Sequence, residues 1–293
     1  MSSDTMLRLR AAITPLHPKG RKWLQFLHSL ELDPDQLPRP LPAPGSRDFI
    51  ICGAPRSGTT LLSAMLFQAP RVLTVMEPWL GMRLPPRELF ATIRNDIDTT
   101  GRLAFGKLDV GELQRKGVVR WVKDGSVTTK VETVDDYLLG IKWPAYWRYV
   151  DRLPVTKFLV CVRNPVEVIA SFKHTGGRLA LGLGYDLAFD RRLNRELVSS
   201  TRDLALRRVL LFDTIYSHLI PYMTADNVLP VRYERWFDDP QRLMDEISSF
   251  LQSDLGSMPV KIRSPSSRPK LDKSEMRLIV EHCKTANPLG YHI

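Results

Sequence analysis

Arg56 stands inside a turn of small residues, Gly53-Ala54-Pro55-Arg56-Ser57-Gly58. A short apolar run, Phe49-Ile50-Ile51-Cys52, precedes the turn, and Thr59 opens a stretch whose apolar positions Leu61, Leu62, Met65 and Leu66 recur at helical spacing. Strand, turn and helix in that order gather backbone N–H groups and a helix N-terminus around one point, and such a point binds phosphate. The spacing Gly53-x4-Gly58 matches the start of the nucleotide-cradling pattern G-x-x-x-x-G-K-[ST]. The next position departs from it. Thr59 replaces the lysine that reaches the β- and γ-phosphates in an NTPase, and the cation is Arg56, within the loop. The loop is therefore expected to hold a nucleotide with a phosphate-type group and no transferable γ-phosphate.

The other residues able to do chemistry follow apolar runs. Glu77 comes after Val72–Met76 and before Pro78, which cannot continue a strand ladder. A surface carboxylate, or an ion pair with Arg83 or Arg87, is the structural alternative to a chemical role for it. Lys142 closes Tyr137–Lys142 ahead of Pro144, where a surface lysine is the alternative. Arg163 follows the run Lys157–Val162, where an NTPase would more typically place the aspartate that holds Mg²⁺. Arginine there repels a metal and attracts a phosphate. Asn164, Pro165 and Glu167 form an N-cap and capping-box pattern for a helix reaching toward Gly176-Gly177. Tyr233 is the last residue but one of a fifth run, Asn227–Glu234. In an open parallel sheet, ligands sit beyond the carboxyl ends of the strands, so topology alone places Arg56, Glu77, Lys142, Arg163 and Tyr233 on one edge.

Pro55-Arg56-Ser57-Gly58-Thr59-Thr60 resembles the 5′-phosphosulfate loop, P-[KR]-S-G-T-T, of the sulfotransferases that use 3′-phosphoadenosine 5′-phosphosulfate (PAPS). Leu159–Phe172, LVCVRNPVEVIASF, resembles the 3′-phosphate element of that family, and Val231–Leu251, VRYERWFDDPQRLMDEISSFL, resembles a third segment of it. The pattern is nearest to the bacterial and Golgi-type carbohydrate and tyrosyl enzymes. The resemblance implies that Arg56, Ser57, Gly58, Thr59 and Thr60 hold the 5′ end of PAPS. It implies that Arg163 and Ser171 hold the 3′-phosphate and that Tyr233 touches the cofactor. Glu77 is implied as the catalytic base, with Lys142 and Arg56 stabilising the transferring group. The implied reaction is sulfuryl transfer to a hydroxyl of a carbohydrate, lipid-linked or small natural-product acceptor, with adenosine 3′,5′-bisphosphate (PAP) as product and no metal. A P-loop phosphotransferase and a non-enzymatic polyanion-binding protein are the competing readings. The chain departs from relatives in lacking an R-K-G-x-x-G element near its end; Arg268 or Lys270 is the candidate replacement. His174 reads as structural or acceptor-facing rather than catalytic.

These residues require a scaffold of strands alternating with helices, a three-layer α/β sandwich with a central parallel sheet and a P-loop-like motif. The 293 residues, 43% apolar and 25% charged, suit a single domain of that class. Residues 1–45 read as a peripheral arm, with a candidate helix over Arg21–Leu32 and a proline-rich connector, Leu37–Pro44. Residues 46–293 read as the domain, and about 80–135, with little periodic signal, as an insertion shaping the acceptor pocket. Trp143, Tyr146, Trp147 and Tyr149 read as core packing ahead of a stacking platform. The net charge of +10 suits an anionic ligand, and no basic run interleaved with aromatics points to nucleic acid. No apolar run reaches 18 residues and no signal-peptide core is visible, so no integral membrane span and a cytoplasmic location are expected. The three cysteines show no metal-ligand spacing.

Overall fold

The computed structural model describes residues 32, 37–104, 128–173, 191–256 and 270–293. Alternation within the first apolar run sets the architecture. In β1 (Asp48–Cys52), Phe49 and Ile51 join one buried cluster while Ile50 and Cys52 join another. Successive strand side chains point to opposite faces, so a strand that is apolar at every position needs a layer on each side. Helices α1 (Thr59–Met65) and α7 (Pro240–Leu251), with the short α6 (Arg235–Asp238), supply one layer through Leu62, Met65, Trp236, Met244 and Ile247. Helices α2 (Pro86–Thr100), α3 (Pro165–Phe172), α5 (Leu204–Leu219) and α8 (Lys273–His282) supply the other, joined by α4 (Arg191–Ser200), which follows α3 in the chain.

The sheet contains β1, β2 (Val72–Met76), β5 (Leu138–Lys142), β6 (Lys157–Val162) and β7 (Val228–Arg232) in the spatial order β2-β5-β1-β6-β7. Every neighbouring pair is parallel. The three-layer α/β expectation is what the structure shows. Pro230 lies in β7, an edge strand, where a missing donor is tolerated. Among the described residues, no helix is long and apolar enough to cross a membrane.

Two local expectations change. The stretch expected to lack periodicity contains α2, whose Leu89, Phe90, Ile93 and Ile97 are buried at helical spacing, with Pro86 at its start and left-handed Gly101 (φ 63°) at its end. A small antiparallel pair, β3 (Arg102–Ala104) with β4 (Thr128–Lys130), follows it. Arg94 of α2 grips Asp48 through Nε (2.9 Å) and Nη2 (2.6 Å), tying the helix to the start of β1. The second change is at α3. Asn164 caps it as expected, its side chain accepting from the Val166 N–H, but Glu167 does not complete a capping box. Its carboxylate turns back to Arg163. The helix ends at Phe172, ahead of Gly176-Gly177. In the connector, Leu41 is buried and its N–H donates to the Arg152 carbonyl. Residues 1–31 of the arm, 105–127 of the insertion, His174 and Arg268 lie outside the described residues, and Lys270 is exposed.

Candidate functional site

Strand order becomes site order. Across the carboxyl edge of the sheet the exits carry Glu77, Lys142, Arg56, Arg163 and Tyr233, in that sequence from β2 to β7. The register pairs Met76 with Lys142, so the residue after β2 meets the last residue of β5. The Glu77 N–H donates to the Lys142 carbonyl (2.8 Å), and Lys142 Nζ donates to Glu77 Oε1. The two side chains are only 3% and 8% exposed for Lys142 and Glu77, which settles the alternatives for Glu77. It is neither a surface carboxylate nor a partner of Arg83 or Arg87.

Backbone conformation marks the same residues. Among those described, the non-glycine residues with left-handed φ are Arg56 (70°), Glu77 (49°) and Gln252 (58°). Gln252 is the C-cap of α7, an ordinary place for that conformation. The other two are at strand exits facing the site. Such strain costs on the order of 1–3 kcal/mol and concentrates where geometry serves function.

The loop between β1 and α1 is held from below and from the side. Ser57 is buried, and its N–H closes a turn onto the Ala54 carbonyl (3.1 Å). Tyr216 of α5 reaches up beneath it and donates to the Cys161 carbonyl (2.6 Å). That carbonyl explains Gly53: at φ 135°, a Cβ there would sit 2.6 Å from Cys161 O. Gly53→Ala is expected to lower stability by about 2 kcal/mol or more, since both backbone strain and a main-chain clash oppose it. Urea unfolding checks this; an unchanged midpoint would contradict the packing described. Gly58, the N-cap of α1, has φ 106°, and a Cβ on it would lie 2.6 Å from the Tyr233 ring. Thr59 is buried behind it and Thr60 half-buried.

The loop after β1 and the element after β6, each expected to bind an anion, are separate in sequence and touch in space. Arg56 Nε donates to Ser171 Oγ (3.0 Å), and Arg163 Nη1 donates to the Arg56 carbonyl (3.2 Å). Arg163 lies over the Tyr233 ring, 4.0 Å from its centroid, and is held by Glu167 Oε2 at 3.1 and 2.8 Å. The two arginines are thus neighbours, and each charge acts on the other. Desolvation of its guanidinium against the neighbouring elements, and then the charge of Arg163, draws Arg56 below its ordinary value although the residue stays exposed, with Tyr233 opposing. Burial pushes the Tyr233 phenol up, against the pull of Arg163. Two cations pressed together, with Glu167 as the near counter-ion, form a place where an added anion is favourable. Among the described residues, no group of His, Cys, Asp or Glu could hold a metal ion.

Residues 48–256 match the sulfotransferase family. The chain belongs to that family. The nodulation protein NoeE of Sinorhizobium fredii is 31% identical over 137 residues, a stretch covering 44% of this chain and 32% of that protein. Among solved structures, the sulfotransferase domain of the Synechococcus PCC 7002 olefin synthase is 18% identical, covering 88% of this chain and 99% of that one, with a TM-score of 0.45. The mouse sulfotransferase SULT7A1 complexed with PAP is 14% identical, covering 83% of this chain and 66% of that one, with a TM-score of 0.37.

Of the residues named from the sequence, Glu77, Lys142, Arg56, Arg163 and Tyr233 follow one another along this edge, with Ser171 in contact with Arg56. Arg56 is the one whose position adds something: its side chain leans toward Ser171 and Arg163, on the far side of the loop from the Lys142–Glu77 pair. Two carboxylates have partners at the site that the sequence reading did not assign. Glu167, in the first turn of α3, is four residues after Arg163, a spacing at which opposite charges meet and which was readable. Glu234 accepts the Asn164 N–H (2.9 Å), a contact between distant segments with no local signal. Trp143, Tyr146, Trp147 and Tyr149 are all buried, in keeping with core packing.

Proposed function

We propose that this protein transfers the sulfuryl group of PAPS to a hydroxyl of a carbohydrate, lipid-linked or small natural-product acceptor, releasing PAP. The observation that carries the reading is the contact between Arg56 and Ser171 beside Arg163, which joins the loop after β1 to the element after β6. A donor with anionic groups at both ends of one adenosine suits that joined pair of elements. Arg163 and Ser171 serve the 3′-phosphate through forked guanidinium donors and a hydroxyl. The loop N–H groups of Ser57 to Thr60, with Arg56, serve the 5′ end. Tyr233 packs on Gly58 and under Arg163, fixing the distance between the two.

In this reading Glu77 takes the acceptor proton as its oxygen attacks sulfur. Lys142 occupies Glu77 Oε1, and Oε2 has no partner among the described residues, so that oxygen is the one offered to the proton. Arg56 and Lys142 neutralise charge on the transferring group and the departing phosphate. The three cysteines are free and buried, which suits a cytoplasmic setting.

Incubation with radiolabelled PAPS and a panel of hydroxyl-bearing acceptors tests the activity. The donor assignment has its own test. Arg163→Ala is expected to weaken PAP binding by about tenfold or more, as removal of charge-assisted hydrogen bonds does, and to leave adenosine 5′-phosphate binding within about twofold. Calorimetry reads both. Equal loss for the two ligands would remove the 3′-phosphate role, and Mg²⁺-dependent ATP binding would revive phosphotransfer.

A further inference from the structure

The chain after residue 270 lies beyond the stretch that matches the family, yet it supports the helix carrying the 3′-phosphate element at both ends, through Glu234 at its start and directly at its end. At the start of α3, the Asn164 N–H donates to Glu234 Oε1 (2.9 Å), and the other oxygen, Oε2, accepts the Tyr291 hydroxyl (2.9 Å). At its end, Lys173 Nζ donates to Glu275 Oε2 (2.8 Å), in the first turn of α8, where Arg208 approaches Oε1 at 3.7 Å. Tyr291 is itself fixed. Arg232, the last residue of β7, donates through Nη2 to the Leu289 carbonyl (2.6 Å) and stacks 5.2 Å from the Tyr291 ring centroid. Gly290 between them has φ 79°, and a Cβ there would come within 2.9 Å of Arg232 Nη2, so the main chain passes close to the guanidinium only as glycine.

We propose that Tyr291, acting through Glu234, is a positioning residue for Arg163. The inference rests on the assignment of Arg163 to the 3′-phosphate. Asn164 follows Arg163 directly, so anchoring its N–H fixes where the arginine leaves β6. The guanidinium direction is then set by the Arg56 carbonyl, Glu167 and the Tyr233 ring. Glu234 is well suited to the task because each oxygen has one partner, and the two partners come from segments 127 residues apart in the chain, 291 against 164.

Tyr291→Phe keeps the ring over Arg232 and removes only the hydroxyl. Glu234→Gln keeps an oxygen for Asn164, and Glu234→Ala keeps none. By calorimetry on the full chain, Tyr291→Phe and Glu234→Ala are expected to weaken PAP about 5- to 10-fold, the range of coupling through a packed network, with adenosine 5′-phosphate within about twofold. Glu234→Gln should restore most of the PAP affinity. In turnover, KM for the donor should rise while kcat stays. Parallel loss of both ligands, or PAP affinity unchanged in Tyr291→Phe and Glu234→Ala while Arg163→Ala loses it selectively, would overturn the proposal. If Arg163→Ala itself shows no selectivity, the 3′-phosphate assignment fails first and this inference falls with it.

Discussion

Glu77→Gln is expected to lower kcat by about 10²-fold or more, the loss that follows removal of a positioned general base, with donor affinity unchanged. The substitution is close to isosteric. It leaves the Glu77 N–H on the Lys142 carbonyl and an amide oxygen for Lys142 Nζ, so the geometry of the strand exit survives. What it removes is the basicity of Oε2. Two physical facts argue that this carboxylate is kept for chemistry. A buried ion pair is weak evidence of stability, because desolvating both charges offsets most of their attraction. The backbone here also holds φ at 49° in a residue with a side chain, a conformation that costs energy by itself. The fold bears both costs at one position, beside the loop. Single-turnover transfer of labelled sulfuryl, with PAP affinity measured in parallel, decides the matter. A rate within about threefold of the unmodified protein at normal affinity would take Glu77 out of the base role.

Much of the scaffold was legible because the sheet is parallel and buried on both faces. Continuous apolar runs as short as Phe49–Cys52 and Phe158–Val162 suit strands covered on both sides, and the residues that end them fall on one edge by topology. Val72–Met76 and Pro240–Leu251 have the bounds that their apolar pattern and prolines mark. What the sequence did not show is of two kinds. Helix α2 was hidden by its flanking glycines and prolines, although Leu89, Phe90, Ile93 and Ile97 carry the period. The partners of the site residues were hidden because charge pairing between strand exits depends on strand order, which no local pattern reports. In sequence terms the cations offered to Glu77 were Arg83 and Arg87. Only the adjacency of β2 and β5 chooses Lys142. The contact of Arg56 with Ser171, across 115 residues, has the same origin in the adjacency of β1 and β6.

Arg56→Ala is expected to lower kcat by about 10²-fold or more, the usual cost of losing a preorganised donor aimed at developing charge. Because Arg56 Nε also engages Ser171, donor affinity should fall with it, unlike the Glu77 case. The carbonyl of residue 56 still accepts from Arg163 after the substitution, so the element after β6 keeps its anchor. A third variant separates chemistry from folding. Arg56 sits at φ 70°, where glycine is favoured over alanine by about 1 kcal/mol or more. Arg56→Gly should therefore have a higher thermal midpoint than Arg56→Ala, although both lack the guanidinium. If kcat follows the guanidinium and stability follows the backbone, the two variants will be equally slow and unequally stable. If instead Arg56→Gly recovered activity along with stability, the loss in Arg56→Ala would be a folding effect, and the role in charge neutralisation would pass to Lys142 and the loop N–H groups.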